Sequence, residues 1–214
     1  MLLLLRSPIE TRKLCGIKSA AKQMNHLREK LVLASSSPRR TEILERAGWP
    51  HEVMVAGIDE SVHPDEDPAT YVQRLARSKA EAVVQRLESG LVLAADTTVV
   101  IANQILGQPQ DEADAKRMLD LLSGKWHEVL TGVALVRVGG ESRVAYEQTR
   151  VRFAEMSEAE IDWYIASGEP FGKAGAYGIQ NKAALFIEEI QGDYFNIMGL
   201  PIRLVYELAT DFRG

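Results

Sequence analysis

Residues 91–102 read LVLAADTTVVIA, and this stretch decides the fold. Its apolar content and its β-branched C-terminal half predict a buried central strand. Asp96 interrupts it. Burying a lone carboxylate costs several kcal/mol, so such a group is paired, hydrogen-bonded, metal-bound or placed at a strand's open end. Asp96 fits two readings: a carboxylate that holds a divalent cation or accepts a proton from water, or a structural aspartate bonded to a backbone amide. Thr97 and Thr98 add hydroxyls beside it.

Upstream, LVLA (31–34) reads as a short strand that leads into SSSPRR and a helix. Ser37 suits the N-cap, Pro38 the first turn and Gly48 the end. Two arginines in a first turn oppose the helix dipole unless an anion is expected there. A phosphate cradle and a capped helix with solvated arginines are both open readings of LASSSPRR. HEVMVAG (51–57) has strand composition, GIDESVHPDEDP is an acidic loop, and Asp67-Pro68 opens a long helix to about Glu88. Glu60 in that loop offers a hard oxygen ligand or merely a solvated charge. Lys79 is by default one more exposed lysine on the helix.

Downstream, 111–124 predicts a capped amphipathic helix. The segments on either side of Gly139-Gly140 predict a hairpin. Ser157 and Glu160 form a capping box for the next helix. The glycine-rich GKAGAYGIQ carries Lys173 and Gln180, and is weak evidence by itself. A strand around Ala184 to Ile190 and a helix after Gly199-Leu200-Pro201 close the chain. Strands alternating with helices and then a hairpin predict an α/β fold, a mixed sheet with helices on both faces.

The whole 214-residue chain is 46% hydrophobic and 26% charged, an ordinary globular balance. A net charge of -5 gives no global reason to hold a nucleic-acid polymer, so any phosphate site must be local. Cys15 is the sole cysteine, which excludes an intramolecular disulfide and fits a reducing compartment. Four histidines without ligand spacing argue against zinc. The apolar runs are far short of a membrane span. Residues 1–30 read as a mobile extension with Met24 as the natural start, with organelle targeting as the alternative because no acidic residue falls between Glu10 and Glu29, and the folded domain is expected at 31–214.

LASSSPRR (33–40), AADTTV (94–99), LLSGK (121–125), KAGAYGIQ (173–180) and GDYFNIMGLP (192–201), in this order, resemble the Maf family of nucleoside triphosphate pyrophosphatases. The resemblance implies an elongated mixed sheet in two lobes with a central cleft, similar to inosine triphosphate pyrophosphatases. It implies release of pyrophosphate from a nucleoside triphosphate, with Asp96 as proton acceptor and Arg39, Thr97 and Gln180 linked to substrate choice. SPRR with GIQ resembles the dTTP/UTP subgroup. A sister subgroup acts on 7-methyl-GTP, and a nucleotide-sensing role in cell division is the alternative of another class. The expected site adds Lys79, Ser35, Ser37 and Lys173 as substrate ligands, and Asp96 with Glu60 for Mg2+ or Mn2+. A cytoplasmic enzyme is expected, and the resemblance implies a homodimer. Two positions depart from the family pattern: Gln108 stands where relatives commonly have lysine, and Gly172 where they usually have aspartate.

Overall fold

A computed structural model describes residues 29–212. Cys15, Met24 and the rest of 1–28 lie outside the described residues. Glu29 and Lys30, grouped with the extension by the sequence reading, already engage the domain through ion pairs to Arg137 and Glu52.

The elements, in chain order, are β1 (Leu31–Leu33), α1 (Pro38–Arg46), β2 (Glu52–Val53), α2 (Pro68–Val84), β3 (Leu91–Ile101), β4 (Gln104–Leu106), α3 (Glu112–Leu122), β5 (Trp126–Arg137) and β6 (Ser142–Phe153). They continue with α4 (Glu158–Ala166), two 3-10 turns (Ala174–Ala176 and Lys182–Phe186), β7 (Ile187–Gln191), α5 (Tyr194–Met198) and α6 (Ile202–Asp211). The sheet order is β2-β1-β3-β5-β6-β7, with β4 added on β3. β1 runs parallel to β2 and β3, whereas the remaining pairs are antiparallel. This is the expected mixed α/β sheet.

Side chains alternate across β3, so its two faces meet different helices. Val92 and Ala94 pack with Ala76, Ala80 and Val83 of α2. Leu91, Leu93 and Ala95 pack on the other face with Ile43 and Leu44 of α1 and Val205 of α6. Farther along, Val99 joins a second core built from α3, α4, Phe153 and Tyr177. One strand therefore crosses two cores, and the cleft lies where they meet.

Gly132 fixes how closely α2 rests on the sheet. It stands opposite Asp96 in the ladder, and a Cβ there would lie 2.2 Å from the Val72 carbonyl oxygen. Only a residue without a side chain admits that approach.

Several local signals act as read. Asp67, Asp111 and Ser157 accept from Thr70, Asp114 and Glu160 amides, and the Ser157–Glu160 box closes in both directions. Others differ. Ser37 holds the N-cap position of α1 but makes no side-chain cap bond; its backbone amide instead donates to Ser35 Oγ at 3.1 Å. Strand pairing in 51–57 is confined to Glu52 and Val53, because β1, its neighbour, is only three residues long. The expected strand from Ala184 starts at Ile187, after a 3-10 turn that buries Ala183 and Phe186.

Candidate active site

β1 covers one edge of β3 over residues 91–93, and β4 covers it over 99–101. Residues 95–98 have no ladder partner on that edge among the described residues. The gap admits side chains from both faces of the sheet to one cleft of about 710 Å³. Ser35, Ser37, Arg39, Arg40, Glu60, Lys79, Asp96, Thr97, Lys173 and Gln180 all line it. Every residue expected from the sequence is therefore brought together.

Asp96 lies on the α2 face and is 6% exposed. Lys79 Nζ donates to its Oδ1 at 2.7 Å and pairs with Glu60 Oε2 at 2.9 Å. Lys79 is thus no solvated surface lysine. The Cα–Cβ bonds of a helix tilt toward its N-terminus, which lets this long side chain reach back along α2 toward Asp96. Burial raises the Asp96 carboxyl above the usual carboxylate range, opposed by Lys79 and Arg40 and reinforced by Glu60. Its Oδ2 has no protein partner among the described residues, leaving one oxygen for a ligand or a water.

Thr97 faces the other way and meets α1. Arg40, partly buried, donates through Nε to Gly199 O at 2.7 Å, through Nη1 to Ser35 Oγ at 3.0 Å and through Nη2 to Thr97 Oγ1 at 3.1 Å. Three of five guanidinium N–H groups are used, so two remain. Ser35 Oγ accepts from Arg40 and from the Ser37 amide, which leaves its own hydrogen to donate. Sequence reasoning quoted Arg40 in its motif but assigned it no role. The doubled arginine was the signal: successive helix positions point about 100° apart, so the second arginine meets different partners from the first.

Arg39 extends into the cleft with no protein hydrogen-bond partner among the described residues, and burial lowers its pKa, with Tyr164 opposing. The free first-turn amides of α1 add donors, Pro38 having none. On the opposite wall Lys173 Nζ donates to the Glu169 carbonyl. Its pKa is lowered first by burial, then by Arg39, with Glu169 opposing. The Lys173 stem lies on Gly178, where an added Cβ would come 2.8 Å from Lys173 Cδ and Cε. Gln180 lines the cleft, and its amide has no protein partner among the described residues. The two departures also line it: Gln108 is one, and Gly172, at φ +71°, adopts a backbone that aspartate would strain.

Among the described residues no three His, Cys, Asp or Glu side chains gather as a metal cage. Two carboxylates do converge on one cation, the Lys79 ammonium. That donor set fits Mg2+ or Mn2+ taken up with a phosphate ligand, since Mg2+ is commonly held by one or two carboxylates plus substrate phosphates. No helix among the described residues is long and apolar enough to cross a membrane.

Residues 30–212 match the Maf-like protein family. A dTTP/UTP pyrophosphatase of Symbiobacterium thermophilum is 52% identical over 185 residues, 86% of this chain and 94% of the relative. One of Bacillus cytotoxicus is 53% identical over 182 residues, 84% of this chain and 94% of the relative. Among solved structures, the Ham1 protein of Staphylococcus aureus is 14% identical with a TM-score of 0.47, covering 86% of this chain and 100% of that one. The matched family spans the whole cleft, from Ser35 to Gly199, and the chain belongs to the Maf-like protein family.

Proposed function

We propose that this protein is a cytoplasmic hydrolase that converts dTTP and UTP to their monophosphates and pyrophosphate. The observation that carries this reading is Asp96, a buried carboxylate with one free oxygen, in a cleft otherwise rich in donors. Ser35, Ser37, the α1 amides, Arg39, Arg40 and Lys173 suit the triphosphate oxygens. Lys79 shields Asp96 from that anionic load and holds its orientation. A water hydrogen-bonded to Asp96 Oδ2 gives up its proton to the carboxylate as it attacks the α-phosphorus, and pyrophosphate leaves. A divalent cation held by Asp96 and Glu60 would supply further neutralisation of phosphate charge. Gln180 suits a uracil or thymine edge, where its carbonyl accepts from the ring N–H and its amide donates to a ring carbonyl. The naming of the half-identical relatives as dTTP/UTP pyrophosphatases supports the same substrates.

Incubating the protein with each nucleoside triphosphate and Mn2+, and measuring pyrophosphate, tests the reading. Release from dTTP and UTP ahead of CTP, ATP and GTP is expected. No release above background from any triphosphate would overturn it.

A further inference from the structure

Behind Thr97 the hydrogen bonds continue away from the cleft. Thr97 Oγ1 lies 2.9 Å from Oγ1 of Thr131, its direct partner across the β3–β5 ladder. Thr131 Oγ1 donates to the Asn196 carbonyl oxygen at 3.0 Å. Its single hydrogen is thereby used, so Thr97 must be the donor between the two hydroxyls. Thr97 therefore meets Arg40 as an acceptor, the polarity a guanidinium requires. The chain has only one self-consistent direction.

Asn196 anchors the far end. Its side-chain amide donates to Val129 O at 2.9 Å and to Thr149 Oγ1 at 3.0 Å. Thr149 in turn donates to the Asp193 carbonyl at 3.1 Å. Thr131, Thr149 and Asn196 are all fully buried, and none lines the cleft. α5 thus carries two restraints on one guanidinium: the Asn196 carbonyl through two hydroxyls, and the Gly199 carbonyl directly.

We propose that Thr131 and Asn196 are positioning residues, fixing the plane of Arg40 so that its two remaining N–H groups face the phosphate chain. This rests on the triphosphate-cleft reading above. Arg40 presents a forked donor whose value depends on angle, whereas a swivelling cation would act as a point charge.

The test uses Thr131→Val, nearly isosteric and without the hydroxyl, and Thr131→Ser, which restores it. The probe is inorganic tripolyphosphate, followed by calorimetry, together with hydrogen exchange at the Arg40 Nε–H resonance. In Thr131→Val, affinity is expected to fall about fivefold to tenfold and Arg40 exchange to accelerate. Thr131→Ser should recover both. Unchanged affinity, or lost affinity with unchanged Arg40 exchange, would overturn the proposal. Should valine not fold, Thr131→Ala repeats the experiment; failure of both to fold would assign the hydroxyl to the fold and overturn the positioning role. Wild-type protein that binds tripolyphosphate yet releases no pyrophosphate would fault the reaction and leave the relay standing.

Discussion

Lys79 Nζ stands 2.7 Å from Asp96 Oδ1; Lys79 comes from α2, which packs on Gly132 of β5, and Asp96 stands opposite that glycine in β3. The ion pair is buried on both sides, so removing either charge leaves the other without its closest counter-charge. The carboxylate is also the expected proton acceptor, which ties the first prediction to this contact. Asp96→Asn should lower turnover of UTP by about 100-fold to 10,000-fold, while circular dichroism and the melting curve remain those of a folded protein. Near-normal turnover would place the base elsewhere.

Gln180 is the residue we propose for base selection. Gln180→Ala should narrow the UTP-to-CTP preference, chiefly by slowing UTP, because the amide orientation that pairs with a uracil edge sets acceptor against acceptor and donor against donor on cytosine. A lost polar match of about 1–3 kcal/mol corresponds to roughly tenfold to a hundredfold. The measurement is kcat/KM for both nucleotides in each protein. A preference ratio unchanged by the substitution would show that discrimination comes from another part of the cleft.

Gly132→Ala tests how α2 reaches the site. The added methyl would press on Val72 backbone, which cannot rotate away as a side chain can. Overpacking of this kind costs about 1–3 kcal/mol, and Lys79 should shift with the helix. Both a lower Tm and a lower kcat/KM are expected from this one methyl. A variant as stable and as active as the parent would mean that the helix is not seated on β5.

His127 supplies a pH dependence of stability. Its imidazole is 2% exposed, meets Tyr177 Oη at 2.7 Å through Nε2, and is pushed down to about 4 by burial. A free imidazole protonates near 6.5. The unfolded chain therefore binds the extra proton first as pH falls. The stabilisation present above pH 6.5 is lost between 6.5 and about 4, in total about 3 kcal/mol. His127→Phe should remove that part of the acid slope in denaturant titrations from pH 7 to 4. An identical slope in the variant would show that the histidine is not held neutral.

The parts of the fold legible in the sequence were those governed by neighbouring residues. Asp67, Asp111 and the Ser157–Glu160 box announced helix starts because a cap involves four successive residues, and Gly139-Gly140 announced its hairpin for the same reason. Asp96 was visible because a charge inside an apolar strand needs a reason. Thr131 and Asn196 gave no such signal. A threonine in a strand and an asparagine in a short helix are unremarkable until the ladder sets Thr131 opposite Thr97. The short helix Tyr194–Met198 escaped because five residues carry no period. Glu60 and Lys79 were nominated individually; Lys79 reaches Asp96 from α2, which crosses the sheet at Gly132, and Glu60 joins them through Lys79.

β3 runs unbroken from Leu91 to Ile101, and β5 beside it from Trp126 to Arg137, through both cores. A cleft floored by such a pair has a continuous ladder at its base, and opening it as a jaw would strain that ladder. Bending it would break ladder hydrogen bonds on both sides of Asp96. Nucleotide entry and product departure must then proceed through the open strand edge, by rearrangement of the segments bordering it, while the carboxylate and its floor stay still. The carboxylate we propose as catalytic is mounted on a continuous two-strand floor, and adjustment to different substrates falls to the walls.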